Sequence, residues 1–257
     1  MGALIRAADH GQLGPARVAG VVALADADSL REDLFGDDLL VERDLALGEI
    51  DRRSVGEALA RQLECADVVG LSGTADARTY ALVRRIAQSA ERVEGWMEID
   101  VSGLVRRRLA WSTASRRTDA LAVVGGRLPD AEGVWCLDLQ SSRPFHPGRL
   151  HARIEELGVG RLRARGHFWL ASRPDQVCVW DGAGGQLSIG PYGWWGERTP
   201  GTRLVFVGDD LADRERVAVA FEELLVTPAE LSGSAGGVHG QEDGFGPWLD
   251  AEHPYAA

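Results

Sequence analysis

Three histidines, two aspartates and three alternating arginines are the side chains here whose types and spacing suit chemistry. His146, His151 and His167 lie close together in sequence, and neutral imidazole is a good zinc ligand. His146 and His151 are five apart, which does not share a helix face well, and His167 falls on another element. A capping or surface role is the alternative for all three. Asp26 and Asp28 follow an apolar run, at the strand end where α/β proteins place functional acids. A magnesium role would need a phosphate ligand beside them, and turn or cap roles are the alternative. Arg161, Arg163 and Arg165 alternate along an apolar stretch. They share one strand face, with Leu162 and Ala164 opposite. That face could dock an acidic partner or simply face water.

Composition removes other chemistry. All 28 basic residues are arginine, with neither lysine nor asparagine in the chain. A phosphate-cradling loop uses a lysine to reach the terminal phosphates, and a Schiff base needs one too. Neither G-x-S-x-G nor H-E-x-x-H occurs, so no catalytic residue is assigned. Cys65, Cys136 and Cys178 are far apart and form no CxxC pair; Cys136 and Cys178 read as small core residues. The net charge of −11 argues against nonspecific nucleic-acid binding. After Arg216 there is no arginine but several acids, which makes the C-terminal end the acidic pole. No apolar run approaches a membrane span and no secretion signal is visible, so the expected location is cytoplasmic.

These residues need a scaffold, and the pattern supplies one. Val18–Asp26 and Asp67–Leu71 read as buried strands of a parallel sheet. Ser29 is placed to cap a short helix that Gly36 stops. Ser54 and Glu57 form a capping box for a helix to Cys65, with Val55, Ala58, Leu59 and Leu63 as its apolar stripe. A further helix is predicted from about Ala75 to Ser89, with Tyr80, Val83 and Ile86 inward. Strand and helix alternate, as in an α/β fold. Residues 106–128 carry six arginines, among them Arg106–Arg108 and Arg116–Arg117, and read as a linker. Beyond it, Gly133–Ser141 alternates as a strand. Leu150, Ile154 and Leu157 recur at helical spacing up to Gly158. RLRARGHFWLAS then reads as a strand with a bulge or a close backbone approach at Gly166. A hairpin is expected around Gly182–Gly185, with an apolar strand over Thr202–Val207. A helix from Asp213 to about Leu225 turns Val217, Ala220, Phe221 and Leu224 inward. Trp169, Trp180, Trp194 and Trp195 read as core or as an aromatic surface.

The Arg143-Pro-Phe turn, the helix, the Arg163-x-Arg-Gly-x-Phe-Trp-Leu-Ala strand and Arg173-Pro-Asp together resemble the C-terminal domain of the CobW-like metal-handling GTPases. The likeness continues through Gly190–Trp195, Arg203–Gly208 and Leu224–Leu231. The front of the chain resembles the later half of the CobW GTPase domain, on Asp51-Arg52-Arg53-Ser54 and on Gln62 to Asp67. Where relatives carry N-K-x-D to read guanine, this chain has Ser72-Gly73-Thr74-Ala75, with Asp76 one place late. Ser72, Gly73, Thr74 and Asp76 are therefore a relic of a nucleotide site. The family's earlier motifs would lie before Val18, where seventeen residues are too few to hold them.

The expected architecture is an incomplete P-loop-type parallel sheet with helices over residues 1–105, then the linker. A small α+β CobW C-terminal domain over 129–231 and a disordered acidic tail over 232–257 follow. The resemblance implies zinc homeostasis and, for the family, GTP and magnesium; this chain alone is expected to need no cofactor. It implies action by docking to a metal-receiving client protein or to the missing nucleotide-binding half. The alternatives are a non-enzymatic interaction module and a truncated gene product, whose Val18 strand would leave an unpaired edge prone to self-association. Binding to nucleic acid or membrane is not expected.

Overall fold

The computed structural model describes residues 2–48, 51–123, 125, 129–232 and 243–250. The chain divides into two compact units. Met1–Ala122 with Leu128–Val134 forms the first, and Val123–Arg127 with Trp135–Ala257 forms the second.

In the first unit α1 (Gly2–Asp9) precedes β1 (Val22–Asp26), α2 (Leu30–Phe35) and α3 (Val55–Cys65). Then come β2 (Val68–Ser72), α4 (Ala77–Ile86), β3 (Glu91–Glu94), α5 (Val101–Val105) and α6 (Trp111–Thr118). The strands form a parallel sheet in the order β1-β2-β3, with Val22 opposite Val68 and Val68 opposite Glu91. β2 is buried along most of its length, as its apolar run predicts. β3, sequence ERVE, is short and polar; pattern alone does not reveal it.

Several details of this unit differ from expectation. β1 begins at Val22 rather than Val18 and is not a buried strand, since Val22 and Leu24 are exposed. Ser29 occupies the N-cap position of α2, but its hydroxyl donates to Asp33 Oδ2 at 2.6 Å and makes no cap bond. The buried face of α3 is Gly56, Ala60 and Leu63, rotated from the predicted stripe. A Cβ at Gly56 would collide with the Leu34 carbonyl, so small residues let α3 lie directly on the backbone of α2. Ser54 Oγ accepts from Glu57 N at 2.9 Å, as the capping box requires.

Residues 106–128, expected as a linker, contain α6 and a 3₁₀ turn at Ala120–Ala122. Leu109, Ala114 and Ala120 are buried, and Ile5, Val21, Leu109 and Ala114 share one apolar cluster. The arginines hid this packing because one of them is a structural pin. Arg117 donates to the Cys65 carbonyl at 3.0 Å and to Asp67 Oδ1 at 2.7 Å. Asp67 Oδ2 in turn accepts from Val21 N at 2.8 Å. The pair joins α6, the end of α3 and the start of β1, and both side chains are largely buried. Arg117→Ala is therefore expected to destabilise the first unit by about 2–4 kcal/mol, because it strands a mostly buried carboxylate. Chemical denaturation checks this; a loss below about 0.5 kcal/mol would return Arg117 to the solvated surface.

The second unit runs β4 (Trp135–Ser141), α7 (Pro147–Arg153), α8 (Glu155–Gly158), β5 (Leu162–Leu170), β6 (Arg173–Ala183) and β7 (Gln186–Trp194). It continues with β8 (Thr202–Gly208), α9 (Leu211–Leu224), α10 (Pro228–Ser232) and α11 (Gly246–Leu249). Its antiparallel sheet has the order β4-β8-β5-β6-β7. One face carries Leu162, Ala164, Phe168 and Leu170 of β5 and packs with Leu150, Leu157, Val217, Ala220, Phe221 and Leu224 into a single core. All four inward residues predicted for α9 are in it. Gly166 has φ +155, and a Cβ there would strike the Arg203 carbonyl. The close backbone approach of β5 to β8 is thus real, while the register shift falls later, between Phe168 and Leu170.

The tail is a correction in part. Within the described residues 243–250, Phe245 and Leu249 are buried in the second unit's core, because aromatic and aliphatic groups stand out of an otherwise Gly-rich, acidic stretch. The rest of the predicted tail, 233–242 and 251–257, lies outside the described residues.

Candidate functional site

The carboxyl ends of β1 and β2 form the edge where α/β sheets bind ligands. Ala27 N donates to the Ser72 carbonyl at 2.9 Å, which extends the β1–β2 ladder into the loops. Asp28 N donates to Asp26 Oδ1 at 3.1 Å, so Asp26 closes an Asx turn. Gly73 has φ +72, and a Cβ there would sit 2.8 Å from Asp28 Oδ2 and 3.3 Å from Asp26 Oδ1. Both carboxylates therefore crowd the Gly73 backbone. Asp76 is the N-cap of α4; its Oδ1 accepts from Thr79 N at 2.7 Å. Backbone and hydroxyl donation from Thr79 hold its carboxyl below the ordinary range, with a smaller contribution from Arg31. Arg31 Nη1 lies 3.4 Å from Asp76 Oδ2. An anion placed at this edge would meet Asp26, Asp28 and Asp76, with Arg31 and Arg78 as the cations near Asp76, and this net negative balance disfavours a phosphate.

The arginine row on β5 is not a simple outer face. Arg163 is 3% exposed, and donates to Asp181 and to the carbonyls of Ala164 (3.1 Å) and Gly182 (3.0 Å). Arg161 pairs with Asp209 at 3.1 Å, and its backbone N–H donates to Asp213 Oδ2 at 2.8 Å. Arg165 is half-buried. As a docking surface Arg163 is withdrawn, because cross-strand acids that the local pattern cannot show take up its charge. A neighbouring pair, missed in sequence, repeats the motif. Arg203 grips Asp138 with two hydrogen bonds of 2.9 and 2.5 Å, and Gly125 N donates to Asp138 Oδ2 at 2.8 Å. Burial alone would raise the Asp138 carboxyl; these donors outweigh it and hold it low. The available signal was a charged residue inside each of two apolar strands.

The histidines are not brought together. His146 is the N-cap of α7, its Nδ1 accepting from Arg149 N at 3.3 Å. His151 packs edge-on against Phe245, centroids 5.6 Å apart, and His167 against Trp195 at 5.9 Å. Among the described residues, no group of three or more His, Cys, Asp or Glu side chains could hold a metal ion. Cys178 is buried, and burial pushes its thiol up to about 12; Cys65 and Cys136 are half-buried. Of the tryptophans, Trp180 and Trp195 are core and Trp194 is exposed. At the acidic pole, Glu222, Glu230 and Glu223 accept from Arg143, Arg149 and Arg153. No helix of the described residues is long and apolar enough to cross a membrane.

A parallel α/β unit followed by an antiparallel sheet with helices on one face defines a mixed α/β protein of two units. Within the second unit, residues 134–225 match the family described as the cobalamin synthesis protein cobW C-terminal domain. The chain is 34% identical over 189 residues to a zinc chaperone of Mycobacterium tuberculosis, covering 71% of this chain and 44% of that protein. It is 24% identical over 256 positions to zinc-regulated GTPase metalloprotein activator 1 of Dictyostelium discoideum, covering 82% of this chain and 52% of that protein. The chain thus spans about half the length of the relatives it matches. Among solved structures, the zinc-bound YjiA GTPase of E. coli aligns over 87% of this chain and 67% of its own, at 18% identity and a TM-score of 0.41.

Proposed function

We propose that this chain serves metal homeostasis, with zinc as the cargo, by docking to a partner or client protein rather than by gripping a nucleotide itself. The observation that carries this reading is the edge around Gly73. Asp26 and Asp28 crowd the backbone there, Asp76 is spent on capping α4, and the chain has no lysine. These residues do not fit a magnesium-bound triphosphate, so no hydrolytic step is derived for them. The zinc assignment is supported by the relatives' names and by the CobW C-terminal domain. In this reading Ser72, Gly73, Thr74 and Asp76 are structural remnants. Arg165 on β5 and Arg161 just before it, paired with Asp209, remain the basic positions for a client contact; Arg163 does not.

Growth under zinc limitation tests the cellular part. Cells lacking the chain are expected to match the parent in zinc-replete medium and to fall behind when zinc is chelated. Restoring the chain should restore growth. Equal growth in both media would remove the zinc assignment.

A further inference from the structure

The family match ends at residue 225, yet residues beyond it fill a socket in the same domain. Phe245 and Leu249 are each 1% exposed and belong to the core built by β5, β6, α7 and α9. Phe245 lies edge-on to His151, and the Gly244 backbone (φ +78) passes so close that a Cβ would sit 2.7 Å from the His151 ring. The polar contacts are as specific as the apolar ones. Arg173 holds both oxygens of Asp243, at 2.7 and 3.2 Å, and also donates to Asp250. Ser172 Oγ donates to Asp243 at 2.7 Å, and Gln176 Nε2 to the Leu249 carbonyl at 3.0 Å. Burial alone would raise the Asp243 carboxyl, but these donors hold it at about 2.

Two buried apolar anchors, a bidentate arginine and a side-chain amide on a backbone carbonyl are the parts of a peptide-recognition site. We propose that the groove of Ser172, Arg173, Gln176 and His151 is such a site, filled in this chain by its own residues 243–250. Its second occupant is an acidic–aromatic segment of a partner protein. That segment carries a carboxylate two residues before an aromatic ring, a leucine four residues after the ring, and a second carboxylate beside the leucine. The charge of Arg173, shared between Asp243 and Asp250, selects the acids; the Phe245 and Leu249 sockets select the anchors. Tethering holds the resident segment at a high effective concentration, so a partner enters by competition. The proposal does not depend on the zinc assignment.

The probe is a fluorescein-labelled octapeptide of the sequence Asp243–Asp250, measured by anisotropy against the full chain. The double variant F245A/L249A, which empties the groove, is expected to bind it at least about tenfold more tightly than the wild type. Adding Arg173→Ala should undo that gain, and so should asparagine at both acids of the peptide. A folded double variant that binds no better than wild type overturns the proposal, as does equal binding of the asparagine peptide. If the double variant does not fold, a protease site placed between Ser232 and Asp243 replaces it. After cleavage the chain should stay folded and exchange its tail for the labelled peptide. Unfolding, or a fragment that never exchanges, overturns the proposal. A wild-type dimer split by the free octapeptide would assign the groove to a second copy of the chain and overturn the partner reading.

Discussion

Replacing Asp181 by alanine is expected to cost the second unit about 3–5 kcal/mol, because it leaves the Arg163 guanidinium buried without its carboxylate. Arg163 is 3% exposed and Asp181 17% exposed in its side chain, so water cannot easily take over. Natural domains hold only about 5–15 kcal/mol in reserve, so this single change should lower the melting temperature by roughly 10 °C or more. Removing both charges at once, with Arg163→Met and Asp181→Leu, should recover most of the loss, since the apolar pair carries no desolvation cost. Thermal and urea unfolding of the three proteins checks this. A loss under about 1 kcal/mol for Asp181→Ala would mean that Arg163 reaches solvent after all.

Gly166→Ala should be nearly as damaging, at about 2–4 kcal/mol. Two penalties combine: φ +155 is a backbone region that side chains rarely adopt, and the new methyl would strike the Arg203 carbonyl on β8. The carbonyl belongs to a rigid ladder, with Gly166 directly opposite Leu204, so neither strand can yield cheaply. Gly190→Ala is the control. It lies in the same sheet, at a position where a Cβ meets nothing within 4 Å, and should change stability by no more than about 0.5 kcal/mol. Urea midpoints that move equally for both variants would remove the close approach as the reason for this glycine.

What the sequence made legible was whatever is local and periodic. The Val217, Ala220, Phe221 and Leu224 stripe lies in the core as spaced, and Ser54 caps α3 as its motif requires. Gly166 was recognisable because a glycine inside an alternating strand has few other reasons to be there. What was not legible depends on partners far along the chain. Arg163 looked like surface because Asp181 sits on the next strand, diagonal to it across the β5–β6 register. Arg117 looked like part of a linker because Asp67 lies in another element. Phe245 and Leu249 stand with Trp248 in a Gly-rich, acidic stretch, too few apolar residues to show any period, and only the socket beneath them explains why those two are buried while Trp248 is exposed. In an all-arginine chain the local charge pattern misleads most, since a guanidinium can serve as a buried fork as readily as a solvated tip.

The proposed docking without nucleotide rests on the acidic crowding at Gly73, and calorimetric titration of this chain with magnesium-GTP meets that claim most directly. The expected result is no saturable heat at ligand concentrations up to about 1 mM, where even weak specific binding becomes visible. Stoichiometric binding tighter than about 10 μM, lost when Ser72 or Thr74 is replaced, would contradict it and make this edge a working nucleotide site.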